Sequence, residues 1–196
     1  MKLKFSKQYI MECKAILNRL DDKPIEEAIR VFHKIRSQRG RLFIMGSGGG
    51  AGHASHAVND FRKITSIESY CPSDNVSELT ARINDDGWAT SYANYLRTSL
   101  LGPKDGVLIF SVGGGCKKQN ISMNLICAME LAKKRKAKII AVTGRDGGEA
   151  RRYADVLILV PTVEVSRVTP HTESFQAIIW HLIVSHPKLI KHKTKW

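Results

Sequence analysis

Four short apolar runs, RLFIMGS (41–47), GVLIFSV (106–112), AKIIAVTG (137–144) and DVLILVP (155–161), are separated by stretches with helical periodicity. Runs this short, rich in Ile, Val and Leu, suit strands buried on both faces, with the intervening helices as cover. The alternation predicts an α/β fold of three layers, a parallel sheet between two sets of helices. A further short strand is expected at SIESYC (66–71). Helices are expected over 6–20 and 24–38, ahead of the first strand, then over about 51–64 and in SELTARIND and WATSYANYLRTSL. Three more follow, over 121–135, in EARRYA and over 172–186.

At 196 residues, 43% hydrophobic and 25% charged, the chain reads as one domain over 1–196. Two helices form an N-terminal extension (about 1–39), and a basic tail closes the chain (about 187–196). No apolar run reaches the roughly 18 residues that would span a bilayer. The start, MKLKFSKQYIMECKAILNRL, is amphipathic and lacks the apolar stretch of a signal peptide. Cys13, Cys71, Cys116 and Cys127 show no CxxC spacing, so a disulfide framework is not expected and a reducing cytoplasm is. The net charge of +13 gathers in KKRKAK (133–138) and HPKLIKHKTKW (186–196). No helix-turn-helix, zinc finger or basic aromatic sheet accompanies it, so a solvated surface attractive to anionic metabolites is expected, not a nucleic-acid interface.

Three strands end in polar or glycine-rich turns: Gly46–Gly50, Gly113–Gly115 and Thr143–Gly148. Ligands of open parallel sheets sit beyond the carboxyl ends of strands. The first turn, GSGGG, lacks the Lys-Ser/Thr of a P-loop and does not match a dinucleotide fingerprint. It serves either as a tight turn that only glycine allows or, with the second loop SVGGG (111–115), as a cradle of N–H groups for an anion at helix N-termini. Ser47, Ser111 and Ser122 would add hydroxyls. His53, His56 and Asp60 share one helix face, and the i, i+4 pair His56 and Asp60 suits a divalent metal or proton transfer as well as a surface hydrogen bond. Glu173 and His181 are eight residues apart, about 12 Å of helical rise. They reach one ion only if Glu173 precedes the helix or separate subunits supply them.

As a set these residues resemble the sugar isomerase (SIS) domain family, and within it the phosphoheptose isomerases, over about residues 5–186. Gly46–Gly50 is similar to the family's Gly-Asn-Gly-Gly-Ser loop, and His56 with Asp60 to its His-x-x-x-Glu. Asn84, Asp85, Gly87 and Trp88 match Asn-Asp-x-Gly-aromatic. Ser111, Val112, Gly113 and a lengthened stretch to Ser122 stand for the family's serine-rich phosphate loop, Thr143–Gly148 for its Thr-Gly-Lys/Arg-Asp-Gly-Gly turn, and Glu173 with His181 for Gln-x7-His. The chain departs from the pattern at Ser47 (family Asn), Val112-Gly113 (Thr-Ser), Asp60 (Glu) and Glu173 (Gln).

The resemblance implies a flavodoxin-like SIS fold and an isomerase that converts sedoheptulose 7-phosphate to a heptose 7-phosphate for heptose biosynthesis. It also implies a homotetramer with sites between subunits. Substrate would be held by Ser47, Gly48, Gly49, Asn84, Asp85, Ser111, Val112, Gly113 and Ser122. His56, Asp60, Glu173 and His181 would hold a divalent metal, zinc by the family's precedent. An aldose–ketose exchange needs a base beside a carbonyl and a proton shuttle between enediol oxygens. Asp60 is expected as the base, Glu173 as the second choice, and His181 as general acid. The rival expectation is a non-catalytic SIS module that binds or senses a sugar phosphate.

Overall fold

The computed structural model describes residues 4–192; the first three residues and residues 193–196 of the basic tail lie outside them. Helices α1 (Phe5–Arg19) and α2 (Lys23–Ser37) precede β1 (Leu42–Gly46), α3 (Gly49–Thr65) and β2 (Ser69–Tyr70). Then come α4 (Val76–Asp86), α5 (Ser91–Thr98), β3 (Gly106–Ser111), α6 (Met123–Lys134) and β4 (Lys138–Thr143). The short α7 (Ala150–Tyr153), β5 (Val156–Leu159) and α8 (Val168–Val184) close the fold. All strands pair in parallel, in the order β2-β1-β3-β4-β5.

Side chains that alternate along each strand divide the core in two. Leu42, Ile44, Leu108, Phe110, Ile140 and Val142 face one way and pack on α1, α2, α3 and α8 through residues such as Ile16, Phe32, Phe61 and Ile179. Phe43, Met45, Val107, Ile109 and Ile139 face the other way, onto Tyr92 and Leu96 of α5 and Ile126 and Met129 of α6. Every expected strand and helix is present, with shifted ends. The largest shift is in α8, which begins at Val168 rather than 172, because Pro170 falls in the first turn, where proline costs no hydrogen bond. All four cysteines are free. No described helix is long and apolar enough to cross a membrane.

The turns after β3 and β4 lock into each other. Gly144 N–H donates to Val112 O, while Glu149 and Ala150 N–H donate to Gly115 O and Gly114 O. Positive φ angles of 73° and 87° at Gly114 and Gly115, and of 88° and 46° at Gly147 and Gly148, make this possible. The backbones meet so closely that a Cβ on Gly114 would lie 1.9 Å from Gly147 O. Most of these glycines are therefore spent on packing turn against turn.

Gly114→Ala is expected to destabilise the protein by about 3 kcal/mol or more, since neither backbone can give way without losing these bonds. Gly52→Ala, where a Cβ on α3 meets nothing within 4 Å, should instead stabilise it by about 0.5–1 kcal/mol. Urea unfolding of the two variants beside the parent chain measures both effects.

Candidate functional site

In the order 2-1-3-4-5, chain direction across the sheet reverses between β1 and β3, and their carboxyl ends flank the crevice where α/β folds bind ligands. A cavity of about 260 Å³ lies there. It is lined by Ser47 just after β1, by Ser111, Val112 and Gly113 at the end of β3, and by Ser122 at the start of α6. Phe110, Ile121 and Leu125 form an apolar wall. The lining also includes Arg145 and Thr169.

The hydroxyls are arranged to donate. Ser47 Oγ accepts from Asn124 Nδ2 at 3.2 Å, and Ser111 Oγ accepts from Gly114 N–H at 3.1 Å. Each acceptor is thus engaged, and each O–H proton is free for an incoming anion. Ser122, left-handed at φ 54°, is the N-cap of α6 but makes no side-chain cap bond. The first turn of α6 adds unpaired N–H groups and the positive end of its dipole.

Gly48 and Gly49 play another part. Gly48 (φ 57°, ψ −125°) is the N-cap of α3 and turns the chain sharply into the helix. A Cβ on Gly49 would sit 2.6 Å from Glu173 Cδ, so the Glu173 carboxylate lies against the first turn of α3. The anion at that helix N-terminus is the chain's own. His53, half-buried one turn further on, is held below the usual imidazole range by burial, partly offset by the Glu173 charge.

A second group of side chains converges across the seam between α3 and α8. His56 Nε2 and His181 Nε2 each lie 3.9 Å from Asp60 Oδ2. One donor atom from each of the three falls within 4.8 Å of the other two. Asp60 is buried; its Oδ1 accepts from Asn59 Nδ2 at 2.8 Å, while its Oδ2 has no partner. A buried carboxylate oxygen without a donor is costly, and a proton or cation removes the cost. His181 Nδ1 donates to Ala177 O at 2.8 Å, which leaves Nε2 with its lone pair toward Asp60. The donor set therefore fits a divalent ion such as zinc. Glu173 is not part of this group: it lies inside α8, so the helix itself holds it about 12 Å from His181.

Asn84 and Asp85 sit exposed near the end of α4, where Asn84 Nδ2 donates to Asp85 Oδ1 at 2.8 Å; neither lines the cavity. Gly87 (φ 80°) ends α4, and Trp88 packs on Tyr92, whose hydroxyl donates to Gly46 O at 2.9 Å. That motif thus supports the β1 turn from behind.

Sequence reasoning missed a clamp that fixes the start of α8. Glu12 on α1 accepts from Arg167 Nε at 2.8 Å and Nη2 at 2.6 Å, and its Oε2 lies 2.8 Å from His171 Nε2. Tyr9 packs against the His171 ring at 4.5 Å. Hydrogen bonds from Arg167 and His171 pull the Glu12 carboxyl down to about 2. The partners are more than 150 positions apart, so no local pattern announces them.

A family model described as the SIS domain matches residues 8–144. The lincomycin biosynthesis protein LmbN of Streptomyces lincolnensis is 36% identical over 154 residues, covering 75% of this chain and 56% of that protein's length. A phosphoheptose isomerase of Nitratiruptor sp. is 33% identical over 150 residues, 74% of either chain. Among solved structures, phosphoheptose isomerase GmhA from Neisseria gonorrhoeae superposes with a TM-score of 0.79 at 23% identity, covering 91% of this chain and 95% of that one.

The Glu12 clamp makes stability depend on acid. Its folded value lies below the usual 4.5, so the stabilisation is whole above pH 4.5 and fades as pH falls toward about 2. Glu12→Gln should be less stable than the parent at pH 7, and the two urea midpoints should converge across that window.

Proposed function

Because the chain belongs to the SIS domain family, we propose that it is an aldose–ketose isomerase that converts sedoheptulose 7-phosphate to a heptose 7-phosphate. The observation that carries this reading is the cavity at the β1–β3 crevice, where three serines with uncommitted O–H protons meet a helix N-terminus. The phosphoheptose isomerase names of the relatives support it, that of Nitratiruptor sp. at 33% identity among them.

Helix α8 carries residues of both halves of the proposed site. Thr169 lines the cavity and Glu173 follows one turn on, whereas His181, with Asp60 and His56, stands about 18 Å of helical rise from Thr169, so the histidine group that meets the sugar held in this cavity would be a neighbouring copy's. The phosphoryl group is held in the cavity, and binding energy gained there orients the carbon end of the sugar. Asp60 Oδ2, buried and without a hydrogen-bond donor, is the oxygen that would take the proton beside the carbonyl. His181 Nε2 passes a proton between the two enediol oxygens.

His56, Asp60 and His181 would hold a zinc-like ion, which when bound supplies Lewis-acid polarisation of the carbonyl. Where Asp60 is engaged in that way, proton removal falls to Glu173. We assign the chain to a homotetramer: α1 leaves Phe5, Ile10, Met11 and Leu17 exposed, and a neighbouring copy would bring a second Glu173 to the histidine group. Four free thiols fit a reducing cytoplasm.

In deuterated water with sedoheptulose 7-phosphate, the protein should place deuterium at the exchanging carbon. Asp60→Asn and His181→Ala should each lower the exchange about 100-fold or more. If Asp60→Asn exchanges normally and Glu173→Gln does not, the base is Glu173. Binding without exchange in the parent chain would instead favour a sugar-phosphate sensor.

Zinc at about 100 times its Kd should stabilise the parent by about 2.7 kcal/mol, seen as a raised melting temperature. His56→Ala should abolish the shift.

A further inference from the structure

The loop after β3 offers one hydroxyl, Ser111, followed by Val112 and Gly113, neither of which has a side-chain donor. A phosphate monoester is close to a dianion at neutral pH, and the cavity sets Phe110, Ile121 and Leu125 along one wall. Neutral hydroxyls and a helix end leave much of that charge uncompensated there. One cationic side chain lines the same cavity, Arg145.

Four features distinguish Arg145 from an ordinary surface arginine. Its guanidinium makes no hydrogen bond and no ion pair within the chain, among the described residues, although Asp146 is its neighbour. The Asp146 carboxylate is turned away, accepting from Gly148 N–H at 3.1 Å. The backbone of Arg145 is left-handed, at φ 50°, a conformation unfavourable to any residue with a Cβ. The turn that carries it is fixed to that loop by Gly144 N–H on Val112 O and by the backbone contact of Gly114 with Gly147. The arginine stem lies over Gly113, where a Cβ would come 3.9 Å from Arg145 Cδ, an ordinary van der Waals separation.

We infer that Arg145 is a phosphate-binding residue of this cavity and supplies the positive charge that the β3 loop itself lacks. Its guanidinium closes over the phosphoryl group and donates two N–H bonds to it, while Ser47, Ser111, Ser122 and Thr169 donate from the other sides. The planar fork of guanidinium donors matches two phosphate oxygens, and lysine would bring the charge without the fork. The ligand class is a phosphate monoester, and the charge of Arg145 ranks it above the uncharged sugar. This assignment rests on the isomerase reading above for its substrate but on the cavity alone for its chemistry.

The test uses the full chain with zinc present and two readouts: steady-state isomerisation of sedoheptulose 7-phosphate, and calorimetric binding of inorganic phosphate. For R145M, KM should rise about 50-fold, with kcat within about threefold and phosphate affinity weakened by a similar factor. R145K should recover part of the loss. Should R145M prove unstable on melting, R145Q provides the same neutral test. Unchanged KM and unchanged phosphate affinity in the neutral variant overturn the assignment while leaving the isomerase intact. If the parent chain turns over no sugar phosphate but binds inorganic phosphate, and R145M weakens that binding, the arginine assignment stands and the isomerase reading falls.

Discussion

Right-handed crossovers decide where this protein can bind anything. From β1 the chain moves outward to β2 through α3, and from β2 it returns past β1 to β3 through α4 and α5. Opposite directions of travel with one handedness place those connections on opposite faces of the sheet. Accordingly α3 packs with Leu42, Ile44 and Phe110, whereas α5 and α6 pack with Phe43, Met45 and Ile109. Between the loops that leave the paired ends of β1 and β3 for opposite faces no described helix fills the gap, and the cavity occupies it. The turns, the arginine and the start of α8 all depend on that divergence.

Glycine has two separate uses around the crevice. Gly114 and Gly115 carry positive φ angles and give their carbonyls to the N–H groups of Ala150 and Glu149. Gly49 gives room to the carboxylate of Glu173. In neither case is the glycine itself the anion's main holder. The serines beside these turns have the free protons, and the glycines fix where those serines stand.

Much of this was legible in the chain. Strands β1 and β3, and β4 beyond Lys138, are buried on both faces, and the edge strand β5 on one, so their continuous apolar runs stood out, while β2 keeps only two residues of the SIESYC stretch. The histidine–aspartate seam was half legible: His56 and Asp60 share a helix face, and His181 arrives from α8. The position of Glu173 was not, because it turned on whether α8 began before or after it, and proline in a first turn hides a helix start. Arg145 and Thr169 were invisible as site residues, since each enters the cavity only through packing of the β4 turn and α8 against the β3 loop. The one local hint was a cation set in a glycine-rich turn at the end of a strand beside β3.

The two halves of the proposed site differ in their exposure to water, and that difference bears on assembly. Asp60 is buried, yet the side chains of His56 and His181 are 59% and 46% exposed. Proton transfer at a sugar carbon is favoured in a site sheltered from bulk water, where the fixed groups act on a less hydrated enediolate. Within one chain nothing described covers those imidazoles, while α1 carries an apolar face of its own with Ile10 and Met11 outward. The packing of a second copy, as proposed, would bury that face and close the histidine group. The proposed self-association would thus serve the isomerase chemistry as well as hide apolar surface. A monomer that retained full activity would separate the two and place the chemistry closer to Glu173, on the inner side of α8.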